Sequence, residues 1–165
     1  MDIKFESSPS FTLNRLEYES LWNSYGKKIQ TAFKEVTTLP FQEEIITGVV
    51  GDYKSNFAGR SLNDPMLFRF SVRHKLGTIM HELSHRFLLE YQFNYNGILD
   101  NDHEVIDLFL PELIEICFGK AASEERINYE CTFPEIEIPN AWNKMLKYSF
   151  ETRQQIWKKI LQNTF

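Results

Sequence analysis

The segment from Arg73 to Tyr91 restricts the fold more than any other part of this sequence. Its apolar residues recur at steps of three and four, as in a helix with one buried face. They are Leu76, Ile79, Met80, Leu83, Phe87 and Leu88. The segment also contains TIMHELSHRF, residues 78 to 87. The pattern therefore predicts a helix over 73–91 that carries His81, Glu82 and His85 beside an apolar core.

His81 and His85 are four residues apart, so a helix presents both imidazoles on one face. Two imidazoles placed in this way can both bind one zinc ion at about 2.0 to 2.1 Å. Glu82 lies one step round the helix, where a carboxylate can accept a proton from a water molecule that attacks a carbonyl. The alternative is that the histidines are hydrogen-bonded helix residues and Glu82 is an exposed charge. The apolar flanks favour the metal site, because a buried imidazole without a partner is costly.

The residues around the two histidines resemble the zincin superfamily of zinc metallopeptidases. That family prefers Thr or Val three residues before the first histidine, uncharged residues around the motif, and a hydrophobic residue two after the second histidine. The residues that match are Thr78, Ile79, Leu83, Ser84 and Phe87. Arg86 departs, because the family prefers an uncharged residue there. The resemblance implies a zincin-like fold, a zinc cofactor, hydrolysis of peptide bonds, and a peptide or protein substrate.

A catalytic zinc site has three protein ligands and leaves its fourth position to water. The stretch LDNDHEVIDLFL contains two candidates for the third ligand, His103 and Glu104. His103 follows His85 by 103 − 85 = 18 residues, enough for a turn and an antiparallel return. In zincins with a glutamate as third ligand, that residue likewise lies on the next helix after a similar interval. We expect His103, because it shares a helical face with Ile106 and Leu110, and because Asp107 could accept a hydrogen bond from its imidazole. The alternative is a solvated first helical turn, in which acidic residues suit the helix dipole.

The sequence leaves one role and two other functions open. Tyr129, His74 or Arg86 could donate a hydrogen bond to the reacting carbonyl, but none has a diagnostic spacing. The chain could also be a catalytically inactive zincin-like module that binds proteins, or a helical interaction domain without metal. Glu82 argues against a purely structural zinc site, which needs no general base and usually has a fourth protein ligand.

The rest of the sequence predicts a mostly helical α+β fold in a single domain, 1–165. A small antiparallel sheet is expected before the motif helix, because two β-branched and aromatic runs flank a polar segment rich in turn residues. The predicted strands are 45–50 and 66–72. The predicted helices are 14–36, one from Asp100 or Asp102 to Gly119 that Pro111 bends or interrupts, and one long or two short helices over 140–162.

The composition of the chain limits which binding partners and which cellular compartment we expect. The net charge is −5, which argues against nucleic-acid binding because such proteins usually carry clustered Lys and Arg. The first residues do not resemble a secretory signal, and no apolar stretch reaches the length of about 20 residues that spans a bilayer. Two cysteines are too few for a disulfide framework, so we expect a cytoplasmic protein with no membrane partner. The short chain also suggests a shallow cleft, or one that a protein partner completes.

Overall fold

A computed structural model describes the whole chain, residues 1 to 165. Its contacts group into two compact units, Met1–Glu90 and Tyr91–Phe165, and the single domain stays a prediction. The first unit contains β1 (Asp2–Ser7), α1 (Thr12–Thr37), β2 (Ile45–Gly51), β3 (Met66–Arg69) and, with its last residue beyond the boundary, α2 (Lys75–Tyr91). The second unit contains α3 (Asp102–Ile106), α4 (Leu110–Phe118), α5 (Lys120–Glu130), α6 (Glu137–Met145) and α7 (Phe150–Thr164). None of these helices has the length and apolar character needed to cross a membrane.

The three strands form a parallel sheet in the order β1-β2-β3. The α+β composition agrees with the prediction, but the predicted antiparallel sheet is wrong, and β1 was not predicted. The reason lies in segment 52–65, which is a crossover and not a hairpin turn. Parallel neighbours need a connection of about a dozen residues or more, and this segment is long enough to bring Met66 opposite Gly48. Antiparallel pairing is limited to one bridge, between Phe57 and Leu67.

Helix α1 packs on the sheet through the face that its apolar spacing predicts. Tyr18 and Trp22 are buried, and their polar atoms donate to the Arg69 carbonyl at 3.1 Å and to Asp2 Oδ1 at 2.9 Å, respectively. The Tyr18 ring also lies 5.7 Å from the ring of Phe5. The helix is confirmed, although Tyr25, predicted to face inward, is exposed.

The second unit is a set of short helices. The predicted interruption near Pro111 is confirmed, since the expected single helix is divided into α3 and α4, and Pro111 lies in the first turn of α4. Asn101, and not Asp100 or Asp102, caps α3 by accepting the Glu104 N–H at 3.0 Å. The C-terminal region forms two helices, α6 and α7. Helix α5 was not predicted, because KAASEERINYE has few apolar residues to mark a buried face.

Candidate metal centre

Helix α2 carries most of the predicted site residues. Its predicted apolar stripe is buried except for Leu76, which is only partly buried. Thr78 and Ser84, on either side of the motif, are also buried, and the Ser84 hydroxyl donates to the Met80 carbonyl at 2.9 Å. The hydroxyl is therefore satisfied within the helix, and the motif lies in a well-packed segment.

His81 and His85 lie next to each other on α2, as their spacing predicts. Their ring centroids are 5.0 Å apart, with an angle of 63° between the ring planes. His81 is buried and His85 is partly buried. Glu82 is only 7% exposed, so the alternative in which it is an exposed charge does not describe this structure. Burying a carboxylate is costly unless it has a partner, and Glu82 is not without one.

His103 lies in the first turn of α3 and is partly buried. The metal-binding atoms of His81, His85 and His103 all lie within 4.8 Å of one another. Three nitrogen atoms bound tetrahedrally at about 2.0 to 2.1 Å from one zinc ion would be roughly 3.4 Å apart. Imidazole nitrogens are ordinary zinc ligands, so the donor set fits this metal in ligand type.

Glu104, the alternative third ligand, is the more buried of the two candidates, at 5% exposed. The prediction that His103 faces further inward than Glu104 is therefore wrong about burial. Oε2 of Glu104 accepts hydrogen bonds from Lys144 Nζ at 2.7 Å and from the Asp100 N–H at 3.0 Å. Glu104 thus already has a cationic partner. No local pattern in the sequence indicates this pairing, because Lys144 lies forty residues further along the chain.

Asp107, the predicted hydrogen-bond partner of His103, is only 1% exposed. The structure connects the two residues through the backbone, since the Asp107 N–H donates to the His103 carbonyl at 2.9 Å. Oδ2 of Asp107 is buried without a hydrogen-bond partner. Burial, followed by the nearby Glu130 and Glu104 carboxylates, raises the pKa of the Asp107 carboxyl well above its usual range. The predicted contact between its carboxylate and the imidazole stays a prediction.

Arg86, the residue that departs from the zincin pattern, is 1% exposed. Its Nε and Nη2 form a two-point ion pair with Glu43, at 2.5 and 2.6 Å. The remaining hydrogen bonds go to carbonyl oxygens of the crossover; they are those of Ala58, Ser61, Leu62 and Asp64. Gly59 lies against Nη1 with a φ of +99°, where a side chain would be strained and would meet the guanidinium. Arg86 therefore holds the crossover on α2 and has no donor left for a substrate.

The donor to the reacting carbonyl stays unassigned. Tyr129 is partly buried on α5, where its ring packs 4.9 Å from Phe133 and faces the guanidinium of Arg126. His74 is partly buried just before α2. Neither arrangement singles out one of the two residues.

Comparison with known proteins adds no relative. No family model matches the sequence, and neither a curated protein nor a solved structure matches the chain. The resemblance to zincins therefore rests on the motif residues of α2 alone.

Proposed function

We propose that this protein is a zinc-dependent peptidase. In this proposal His81, His85 and His103 bind one zinc ion, and Glu82 is the general base. The observation that carries the proposal is the grouping of three imidazoles within 4.8 Å of one another, with a buried carboxylate beside the first.

The chemistry of the donor set supports zinc. Neutral imidazole nitrogens suit zinc, whereas Mg²⁺ and Ca²⁺ prefer oxygen ligands. Three histidines also leave a coordination position open, as in catalytic zinc sites, whereas structural sites are usually closed by a fourth protein ligand. The open position favours a catalytic role over the inactive protein-binding module.

The residues of the chain would divide the reaction as follows. The three histidines would hold the zinc ion, which would supply a Lewis acid able to polarise the carbonyl of the scissile bond and to lower the pKa of water. Glu82 accepts the proton of the attacking water and delivers it to the leaving amine, so that the proton balance closes without a covalent enzyme intermediate. The buried surroundings of Glu82 strengthen its interactions with nearby charges, because the local dielectric is lower than in water.

Metal content is the first test. The protein purified from zinc-containing medium without chelator should hold close to one zinc ion per chain. His81→Ala and His85→Ala should each abolish zinc binding. His74→Ala, which removes the one histidine outside the proposed site, is the matched control and should retain the metal. A folded wild-type protein without zinc would refute the proposal.

Turnover is the second test, measured with a mixed peptide library. Glu82→Gln keeps the size and hydrogen-bonding reach of the side chain but cannot accept a proton. Zinc should stay bound, while peptide cleavage should fall by about two to four orders of magnitude. Glu35→Gln, the same change at an exposed position of α1, is the control and should cleave normally. Equal turnover in wild type and Glu82→Gln would show that Glu82 is not the base.

A further inference from the structure

The crossover that Arg86 holds on α2 also forms a pocket of about 550 Å³. Volumes of roughly 300 to 1,000 Å³ are typical of ligand sites. Its lining includes two aromatic residues, Tyr53 and Phe57, and two cations, Lys54 and Arg60. Phe57 is 38% exposed, so an apolar surface is open to a ligand beside two positive charges.

The pocket is preformed, because its walls are fixed by hydrogen bonds. Phe57 and Leu67 exchange two backbone bonds, of 3.0 and 2.7 Å. Asn56 Oδ1 accepts the Arg69 N–H at 2.8 Å, and the Arg69 guanidinium donates to the Lys54 carbonyl at 3.2 Å. Together with the hydrogen bonds from Arg86 to the same crossover, these contacts order the pocket before a ligand binds. Binding therefore costs less conformational entropy.

The two cations of the pocket are not neutralised by ion pairs. Neither Lys54 nor Arg60 forms a salt bridge. The one acidic residue in the lining is Asp64, whose Oδ2 accepts the N–H groups of Arg60 and Ser61 at 2.9 and 3.0 Å. These two hydrogen bonds are the main reason that the pKa of Asp64 is lowered, and the positive charge of Arg60 lowers it further. The carboxylate therefore stabilises the loop backbone and also attracts one of the two cations. In a chain with a net charge of −5, the lining thus has two cations and one carboxylate, which is a local excess of positive charge.

We infer that this pocket is a substrate subsite that binds an acidic side chain of a peptide. The carboxylate would lie between Lys54 and Arg60, and the neighbouring part of the peptide would lie on Tyr53 and Phe57. This inference rests on the proposed peptidase function, because a pocket for an acidic side chain would select among peptide substrates. A peptide is favoured over nucleic acid because this lining has only two cations, too few to follow a phosphate backbone.

The test measures binding without cleavage, in full-length protein carrying Glu82→Gln. The probes are a fluorescein-labelled peptide of alternating glutamate and phenylalanine, and its counterpart with glutamine in place of glutamate. Fluorescence anisotropy should show tighter binding of the acidic peptide, weakened by added salt because exposed charges are screened. Adding Lys54→Gln and Arg60→Gln together should weaken acidic-peptide binding by about tenfold and leave the glutamine peptide unchanged. Lys158→Gln with Lys159→Gln removes the same charge from exposed positions of α7 and should change neither.

Three results would overturn the inference. They are equal affinity for the two peptides, an equal loss in the α7 control, and displacement of the acidic peptide by equimolar inorganic phosphate or adenosine monophosphate, which would indicate a phosphate site. All three readouts are independent of turnover. If the acidic peptide binds as expected but the wild-type protein cleaves neither it nor the mixed peptide library, the peptidase proposal fails while binding at the pocket stands.

Discussion

Replacing Arg86 by Met should destabilise the protein strongly. The change keeps an unbranched apolar side chain but removes every guanidinium donor. Glu43, whose side chain is 14% exposed, would lose its ion-pair partner. Breaking a buried ion pair from one side costs about 3 to 5 kcal/mol. The carbonyl of the buried Ala58 would also lose a donor, whereas the carbonyls of the exposed residues Ser61 and Leu62 can bond to water instead.

The loss can be measured by urea unfolding followed by circular dichroism. A destabilisation of about 4 kcal/mol, with a slope of about 2 kcal/mol per molar urea, lowers the midpoint by about 2 M. The variant should still fold, since domains are usually stable by about 5 to 15 kcal/mol. Arg73→Met, the same change at an exposed position just before α2, should shift the midpoint little. A loss below about 1 kcal/mol for Arg86→Met would refute the reasoning. So would a double variant whose loss equals the sum of the losses of Arg86→Met and Glu43→Gln, because the two partners of one ion pair should not act independently.

Further predictions concern the second unit. His103→Ala should weaken zinc binding far more than Glu104→Ala, because the Glu104 carboxylate is already paired with Lys144; isothermal titration with zinc measures both, and the reverse order would make Glu104 the ligand. Asp107→Asn should make the metal-free protein more resistant to urea at pH 7. Because the folded pKa of Asp107 is raised above 3.8, the stability that this carboxyl contributes is present below pH 3.8 and is lost as the pH rises to the folded pKa. Asparagine cannot ionise, so the gain should vanish near pH 3, and a gain of equal size at both pH values would exclude ionisation as its cause.

Local features of the fold could be predicted from the sequence, and features that depend on distant residues could not. The buried face of α2 follows from spacing within a few turns, and so does the placement of His81 next to His85. The direction of β3 depends on the path of segment 52–65. That path is held by Arg86, which lies 22 to 28 residues from the carbonyls it contacts. The polar, turn-rich composition of the crossover is typical of a hairpin. No feature of the local sequence distinguishes a hairpin turn from a crossover between parallel strands.

The same limit applies to the site. The pairing of Glu104 with Lys144 spans forty residues, so a helical-face argument could not anticipate it and misjudged which residue is more buried. The capping of α3 by Asn101 was missed for a different reason. Asp100, Asn101 and Asp102 are all good N-cap residues, and the sequence alone does not decide which one begins the helix.

Arg86 and Glu82 are two buried charged residues of one helix, and different reasons account for them. A buried guanidinium is costly unless its donors are satisfied, and Arg86 satisfies its donors with Glu43 and the crossover carbonyls. Its departure from the zincin pattern is therefore explained by packing within the first unit. Glu82 is likewise not without an interaction partner. In the proposed reaction the carboxylate has a use that no apolar or amide side chain can replace, and this is why Glu82→Gln tests the function more directly than any change in the core.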